Sequence, residues 1–321
     1  MQVHRDIENL PFFKNAVITI GTFDGVHTGH LKIIEQLKKE AKSINGETVI
    51  ITFHPHPRLI INKSNSAPAD IKLLNTLPEK IELLEQQKID HLVVVPFTLE
   101  FSKISAEEYL RDFLVSKFHP HTIIIGYDHH FGKNRSGDYR LLEEYQTTYG
   151  YVVKEIPEHV LNAVIISSTK IRKSLVEGNI TEANEALGYA YFFGGRVVEG
   201  NKLGRTLGYP TANIEMENNY KIIPANGVYA VKTCLSSSKL LYKGMMNIGT
   251  RPTVGGTNRV MEVNIFNFDQ AIYHQQLRVY VENFLRPEAK FDGLEALQNQ
   301  LAKDKKNAEN MLLSFNSRKH P

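Results

Sequence analysis

Apolar residues recur along the first half of the chain in short blocks, at 16–20, 48–53, 92–95, 122–125 and 152–156. The blocks are four to six residues long and rich in valine and isoleucine, as in strands covered on both faces. Between them the apolar positions take a helical spacing, as with Ile33, Ile34, Leu37 and Ala41 within 31–43. Segment 78–87 opens on a proline, favoured in a first helical turn. Segment 105–115 opens with Ser105 and Glu108 at capping-box spacing, and 139–149 stops at Gly150, a residue suited to a left-handed cap. This alternation predicts an α/β doubly wound parallel sheet, Rossmann-like, with its ligand at the carboxyl ends of the strands.

The pattern changes near Gly194. Alternating strands are predicted at 196–198, 228–235, 240–248, 260–268 and 277–284. In the last, Leu277, Val279 and Val281 face one side and Arg278, Tyr280 and Glu282 the other. Residues 236–239 read as a hairpin turn. A final helix over 294–315 carries Leu294, Leu297, Leu301, Ala308, Leu312 and Phe315 on one face. The expectation is a small antiparallel β-barrel with a C-terminal helix packed on it. A short helical connector over 181–187, ending at Gly188, marks the boundary between a domain of residues 1–186 and one of 187–321. No internal repeat or low-complexity segment interrupts either half.

Composition agrees with two folded domains, since 321 residues exceed what one core usually supports. Hydrophobic residues at 42% and charged residues at 23% exclude a disordered chain. A formal charge of +3 does not point to nucleic acid. One cysteine, Cys234, cannot form an intramolecular disulfide and suggests a reducing compartment, most simply the cytoplasm. The N-terminus has early acidic residues and no apolar core, so no secretory signal is expected, and no apolar run reaches the length of a membrane helix. Eleven of the 13 histidines lie before residue 187, which suggests different chemistry in the two halves.

After the first predicted strand comes Gly21-Thr22-Phe23-Asp24-Gly25-Val26-His27-Thr28-Gly29-His30, then a helix. Glycines let backbone approach a bulky ligand, and a helix N-terminus attracts phosphate. His27 and His30 lie three apart, so both can reach one phosphate and stabilise charge growing on it. A glycine turn with two surface histidines, or a His-x-x-His metal site with Asp24, remains open on these residues alone. The segment is neither a G-x-G-x-x-G fingerprint nor a P-loop. In the second half, Thr211 and Asn213 are two apart in an extended segment, so both point one way, and their oxygens suit Mg²⁺ with phosphate. Glu262 alternates with Met261, Val263 and Ile265 and so faces away from their side, towards either a ligand or solvent.

His27-Thr28-Gly29-His30 resembles the H-x-G-H signature of nucleotidyltransferases, and Ile166-Ser167-Ser168-Thr169-Lys170-Ile171-Arg172 resembles their late I-S-S-T-x-I-R motif. The full segment from Gly21 to His30 carries the resemblance further, as do Thr52-Phe53-His54-Pro55-His56-Pro57, Gly126-Tyr127-Asp128-His129-His130-Phe131-Gly132 and Arg135-Ser136-Gly137-Asp138. Together they resemble the FMN adenylyltransferase module of bacterial bifunctional FAD synthetases. His54 and His129 depart from it, standing where many members carry an acidic and an aromatic residue.

The second half resembles the riboflavin kinase fold. That likeness runs through residues 195–200, Pro210-Thr211-Ala212-Asn213, 224–230, 247–253, Glu262-Val263-Asn264-Ile265-Phe266 and 285–291. Asn264 replaces a histidine often found there.

The resemblance covers nearly the whole chain and implies two reactions. The second domain would transfer the ATP γ-phosphate to the riboflavin 5′-hydroxyl, and the first would let the FMN phosphate attack the ATP α-phosphate, releasing pyrophosphate. It implies Glu262 as general base and His27 and His30 as catalytic donors. ATP would meet Gly21, Phe23, Gly25, Ser167, Ser168, Thr169 and Arg172 in one half, and Gly200, Arg205 and Thr211 in the other. The flavin would meet Asp128, Phe131, Arg135, Arg286 and Phe291, and Thr211 and Asn213 would hold Mg²⁺. The implied partners are riboflavin, FMN, FAD and ATP, with no nucleic acid, no membrane and no obligate protein partner. A class I aminoacyl-tRNA synthetase shares the H-x-G-H feature, but no anticodon-binding domain is evident. A flavin-sensing protein with inactive sites is disfavoured by the intact His27, His30, Thr211, Asn213 and Glu262.

Overall fold

The computed structural model describes residues 1–64, 71–157, 166–200, 203–236, 238, 240–253 and 256–314. The chain separates into two compact units, residues 1–71 with 75–167, and residues 72–74 with 168–321.

The first unit is built on one sheet of β1 (Gln2–His4), β2 (Val17–Ile20), β3 (Thr48–His54), β4 (His91–Pro96), β5 (Thr122–Gly126) and β6 (Val152–Ile156). Their order is β1-β4-β3-β2-β5-β6, and every pairing is parallel. The helices are α1 (Thr28–Ser43), α2 (Pro57–Ser64), α3 (Leu77–Glu85), α4 over 106–118, which widens to a π-helix across Tyr109–Val115, and α5 (Tyr139–Tyr149). The chain steps from β2 through β3 to β4, then crosses to β5 on the other side of β2. The strand order therefore reverses at the carboxyl ends of β2 and β5, the crevice where doubly wound sheets bind ligands. Ile18, Val49, Ile51, Val93 and Ile123 are fully buried at the centre.

Local signals set the boundaries. Thr76 and Ser105 each close a capping box, with Glu79 and Glu108 respectively, and Gly150 ends α5 in the left-handed region at φ 72°. α1 starts at Thr28, earlier than its apolar positions indicate, because His27 caps it with a ring nitrogen. β1 and α2 carry little periodic signal and were not expected.

The second unit opens with α6 (Ser168–Glu177) and α7 (Ile180–Leu187), which ends at Gly188 with φ 80°. Strands β7 (Tyr191–Val198), β8 (Ala212–Glu215), β9 (Gly227–Leu235), β10 (Tyr242–Thr253), β11 (Gly256–Ile265) and β12 (Gln276–Arg286) close an antiparallel barrel ordered β10-β11-β8-β7-β12-β9. The strand expected at 196–198 begins at Tyr191, and β8 was not expected. The turn expected at 236–239 falls partly outside the described residues. On β12 both faces are covered: Leu277, Val279 and Val281 are buried, and so are Tyr280 and Glu282. Helix α8 (Leu294–Ser314) packs Ala308 and Leu312 against Ala230, Met245 and Phe266. Leu294, expected on that face, is exposed at the first turn. Phe315 and His320 lie outside the described residues.

Candidate functional site

The first site grows from the carboxyl end of β2. The turn that leaves it holds Phe23, Gly25 and Val26 at φ 46°, 90° and 36°. Such values are unfavourable for phenylalanine and more so for β-branched valine, so the surroundings must impose them. Three contacts from below do so. Lys80 on α3 donates to the Thr22 carbonyl at 2.6 Å, the Thr52 hydroxyl donates to the same carbonyl at 3.2 Å, and buried Asp24 accepts the Asn75 amide at 3.1 Å.

His27 is buried and accepts the His30 amide on Nδ1 at 3.4 Å. In the neutral ring the proton then sits on Nε2. The two rings stack with centroids 3.7 Å apart, and Phe23 lies 4.8 Å from His30 on the other side. His30 Nδ1 is buried and finds no hydrogen-bond partner among the described residues. Burial first, then the charges of His27 and Lys80, hold the His30 ring well below the ordinary histidine pKa, so it is neutral at pH 7. A neutral His30 ring beside His27, at the N-terminus of a helix, can offer a donor to an anion.

The other first-unit residues singled out by sequence lie at the carboxyl ends of β3 and β5. His54 is largely exposed, and the partial desolvation of its ring, then the charges of Lys80 and Arg5, lower its pKa. His56 is buried and accepts the Arg58 amide at the start of α2. Asp128 and Arg135 are exposed. Phe131 is buried against Tyr109, with ring centroids 5.1 Å apart. His129 stacks 6.1 Å from Phe131, and burial pulls its pKa to about 4 despite Asp128 beside it. The 166–172 motif straddles the division between units: Ser167 belongs to the first, while Ser168, Thr169 and Arg172 lie on α6 of the second. Arg172 donates to the Lys72 carbonyl at 2.7 Å.

In the second unit, β8 and β11 pair so that Asn213 lies directly across from Glu262. Met261, Val263 and Ile265 are buried, and half-buried Glu262 turns from their side into a cavity of about 350 Å³. Thr211, Asn264, Arg286, Phe291 and Asp304 also line it. That volume suits a small organic ligand. A smaller cleft is lined by Arg205 and Thr211, so Thr211 borders both. Gly200 lies so close to the Asn213 side chain that any added carbon would collide with it. Arg286 is fixed by Asp304, which accepts its Nε at 3.0 Å and its Nη2 at 2.7 Å, and its guanidinium lies 5.5 Å from the Phe291 ring centre. Among the described residues no group of three His, Cys, Asp or Glu side chains could hold a metal ion.

Sequence reasoning missed Lys80 and Asp304. Lys80 is one of many lysines and carries no local signal. Asp304 had one: it shares the helical face of Leu301, Ala308 and Leu312, where an acid is out of place.

The family model for FAD synthetase matches residues 10–170, and the one for riboflavin kinase matches 187–312. A relative from Buchnera aphidicola subsp. Schizaphis graminum is 39% identical, covering 95% of this chain and 96% of its own. Relatives from Haemophilus influenzae and Escherichia coli are 36% and 34% identical, covering 96% and 95% of this chain and 98% and 96% of theirs. All three bear the name bifunctional riboflavin kinase/FMN adenylyltransferase. A crystal structure titled macrolide-efflux protein, from Streptococcus pneumoniae, superposes with a TM-score of 0.84 at 28% identity, covering 96% of this chain and 98% of that one. Among the described residues no helix is long and apolar enough to cross a membrane.

Proposed function

The chain belongs to the family of bifunctional riboflavin kinase/FMN adenylyltransferases and makes FAD from riboflavin in two ATP-dependent steps, and from that premise we propose which residues perform each step. The adenylyl transfer is assigned to residues 1–186 and the kinase to 187–321.

The kinase assignment is carried by one observation: Thr211, Glu262, Arg286 and Phe291 line a single cavity. Riboflavin lies there against Arg286 and Phe291. Its 5′-hydroxyl oxygen attacks the γ-phosphorus, the bond from that phosphorus to the ADP oxygen breaks, and Glu262 takes the hydroxyl proton. Gly200, Arg205 and Thr211 receive the ATP phosphates. Thr211 and Asn213 would hold Mg²⁺, because a hydroxyl and an amide oxygen are hard donors and leave the remaining positions to phosphate oxygens. Such an ion neutralises phosphate charge when bound.

In adenylyl transfer an FMN phosphate oxygen attacks the α-phosphorus, and the bond to the bridging oxygen breaks to release pyrophosphate. The nucleophile is already ionised, so no base is needed. His27 and His30 donate to the charge that builds on the phosphates. The Gly21, Phe23 and Gly25 turn, with Ser167, Ser168, Thr169 and Arg172, receives ATP, while Asp128, Phe131 and Arg135 face FMN. All ligands in this reading are small molecules, and the lone Cys234 fits a cytoplasmic setting.

Crossed assays test the assignment. His30→Ala should lower FAD formation from supplied FMN by about 10²–10³ and leave FMN formation intact. Glu262→Gln should lower FMN formation by about 10²–10⁴ and leave FAD formation from FMN intact. Parallel loss of both activities in either variant would refute the division.

A further inference from the structure

We propose that Lys80 is a positioning residue of adenylyl transfer, a buried cation that pins the turn between Gly21 and His30 from beneath. The proposal rests on the reading that FMN is adenylylated at that turn.

Lys80 sits in the first half of α3, whose start is fixed by the capping box of Thr76 and Glu79. Its side chain is buried, with Nζ 2.6 Å from the Thr22 carbonyl and 3.4 Å from the Thr52 hydroxyl. Thr52 is itself fully buried near the end of β3. Lys80 therefore ties α3 and β3 to the one turn whose backbone is forced into the left-handed region at Phe23 and Val26. A neutral donor could satisfy the same carbonyl. A buried ammonium is costly unless its charge is used.

The groups facing that charge show its use. Asp24 of the turn, buried beside it, favours the charged form, while His30 of α1 and His54 of β3, held towards neutrality chiefly by burial, are pushed further the same way by it. Glu79, its neighbour on α3, is turned to the Thr76 amide. The cation thus orders the turn, adds to the burial that keeps His30 neutral and leaves a positive potential where polyphosphate would arrive. Burial lowers the Lys80 pKa to about 8, opposed by Asp24. Lys80 is accordingly charged at neutral pH and loses its proton as pH rises through that value.

The test measures FAD formation from FMN and ATP with the full chain, from pH 6 to 10, in wild type, Lys80→Met and Lys80→Arg. Wild-type kcat/KM, which reports the free enzyme, should fall about tenfold per unit above about pH 8. Lys80→Met should lower kcat about 10²-fold through misplacement of the turn, with KM within a few-fold, and should lack the alkaline limb. Lys80→Arg should regain part of the rate and carry it to higher pH, because arginine stays charged. Riboflavin phosphorylation should be unchanged throughout. A flat wild-type profile between pH 7 and pH 9.5 would overturn the proposal without any variant, which covers the case of Lys80→Met failing to fold. Near wild-type FAD formation in Lys80→Met, with His30→Ala inactive, would overturn the Lys80 role alone. An active His30→Ala would overturn the reading of the turn on which it rests.

Discussion

Asp304 accepts hydrogen bonds from Arg286 Nε at 3.0 Å, Arg286 Nη2 at 2.7 Å and Gln300 at 2.8 Å, with only 1% of its surface exposed. A buried carboxylate so fully used fixes the guanidinium that borders the cavity proposed for riboflavin. Breaking a buried pair from one side costs about 3–5 kcal/mol. Arg286 is partly exposed, so about 2–4 kcal/mol is expected for Asp304→Asn after discounting for solvent. The variant should show a lower urea midpoint and a raised KM for riboflavin, with a smaller effect on kcat. Unchanged stability would mean that the pair contributes nothing to the native state. At this scale legibility in the sequence was uneven. The spacing of His27 and His30 pointed to one anion, but their face-to-face stacking depends on His27 serving as helix cap, for which a histidine gives no standard signal. Lys80 was invisible because only tertiary structure buries it.

Among the elements, those that sequence predicted are those whose apolar period is long enough to read. β3 and β5 are buried along nearly their whole length, and their Val/Ile runs announced them. β8 is four residues long, and its alternation was too short to register. Yet β8 carries Asn213, and three rungs hold it to β11 at Glu262 and its neighbours. The loop after β7 presses on this pair through Gly200, where any side chain would displace Asn213. Gly200→Ala should therefore act on the element, tilting β8 off β11 and moving Asn213 away from Glu262. We expect about a tenfold or greater fall in FMN formation and a higher Mg²⁺ requirement, since a small misplacement at a reacting centre is amplified in rate. FAD formation from supplied FMN should persist. A Gly200→Ala enzyme with wild-type Mg²⁺ dependence would detach Asn213 from the metal role proposed above.

At the scale of the molecule, the switch from helical spacing to two-residue alternation revealed two halves, and the structure builds them as a parallel sheet and a closed barrel. The alternation did not show which half the intervening helices serve, because an amphipathic helix gives no sign of its partner. α7 packs on β7 and β12, where the Asn184 amide donates to the Val281 carbonyl at 2.9 Å and its oxygen accepts the Tyr191 amide at 2.7 Å. Ile180, Ala183 and Leu187 are buried on α7, and the Leu175 carbonyl of α6 accepts the Ala225 amide at 3.0 Å. These helices thus belong to the barrel's fold although they precede its first strand. Two fragments separate this from a boundary at the strand itself. Residues 168–321 should unfold cooperatively in urea and phosphorylate riboflavin. Residues 190–321 lack Asn184 and the buried aliphatic side chains of α6 and α7. They should be less stable, with a lower urea midpoint, because that apolar burial and the hydrogen bonds of Asn184 are lost. Neither fragment contains His27 or His30, so neither should make FAD. Equal urea midpoints for the two fragments would show that α6 and α7 add nothing to the barrel, and the bond from Asn184 to Val281 would then be a consequence of folding and not one of its causes.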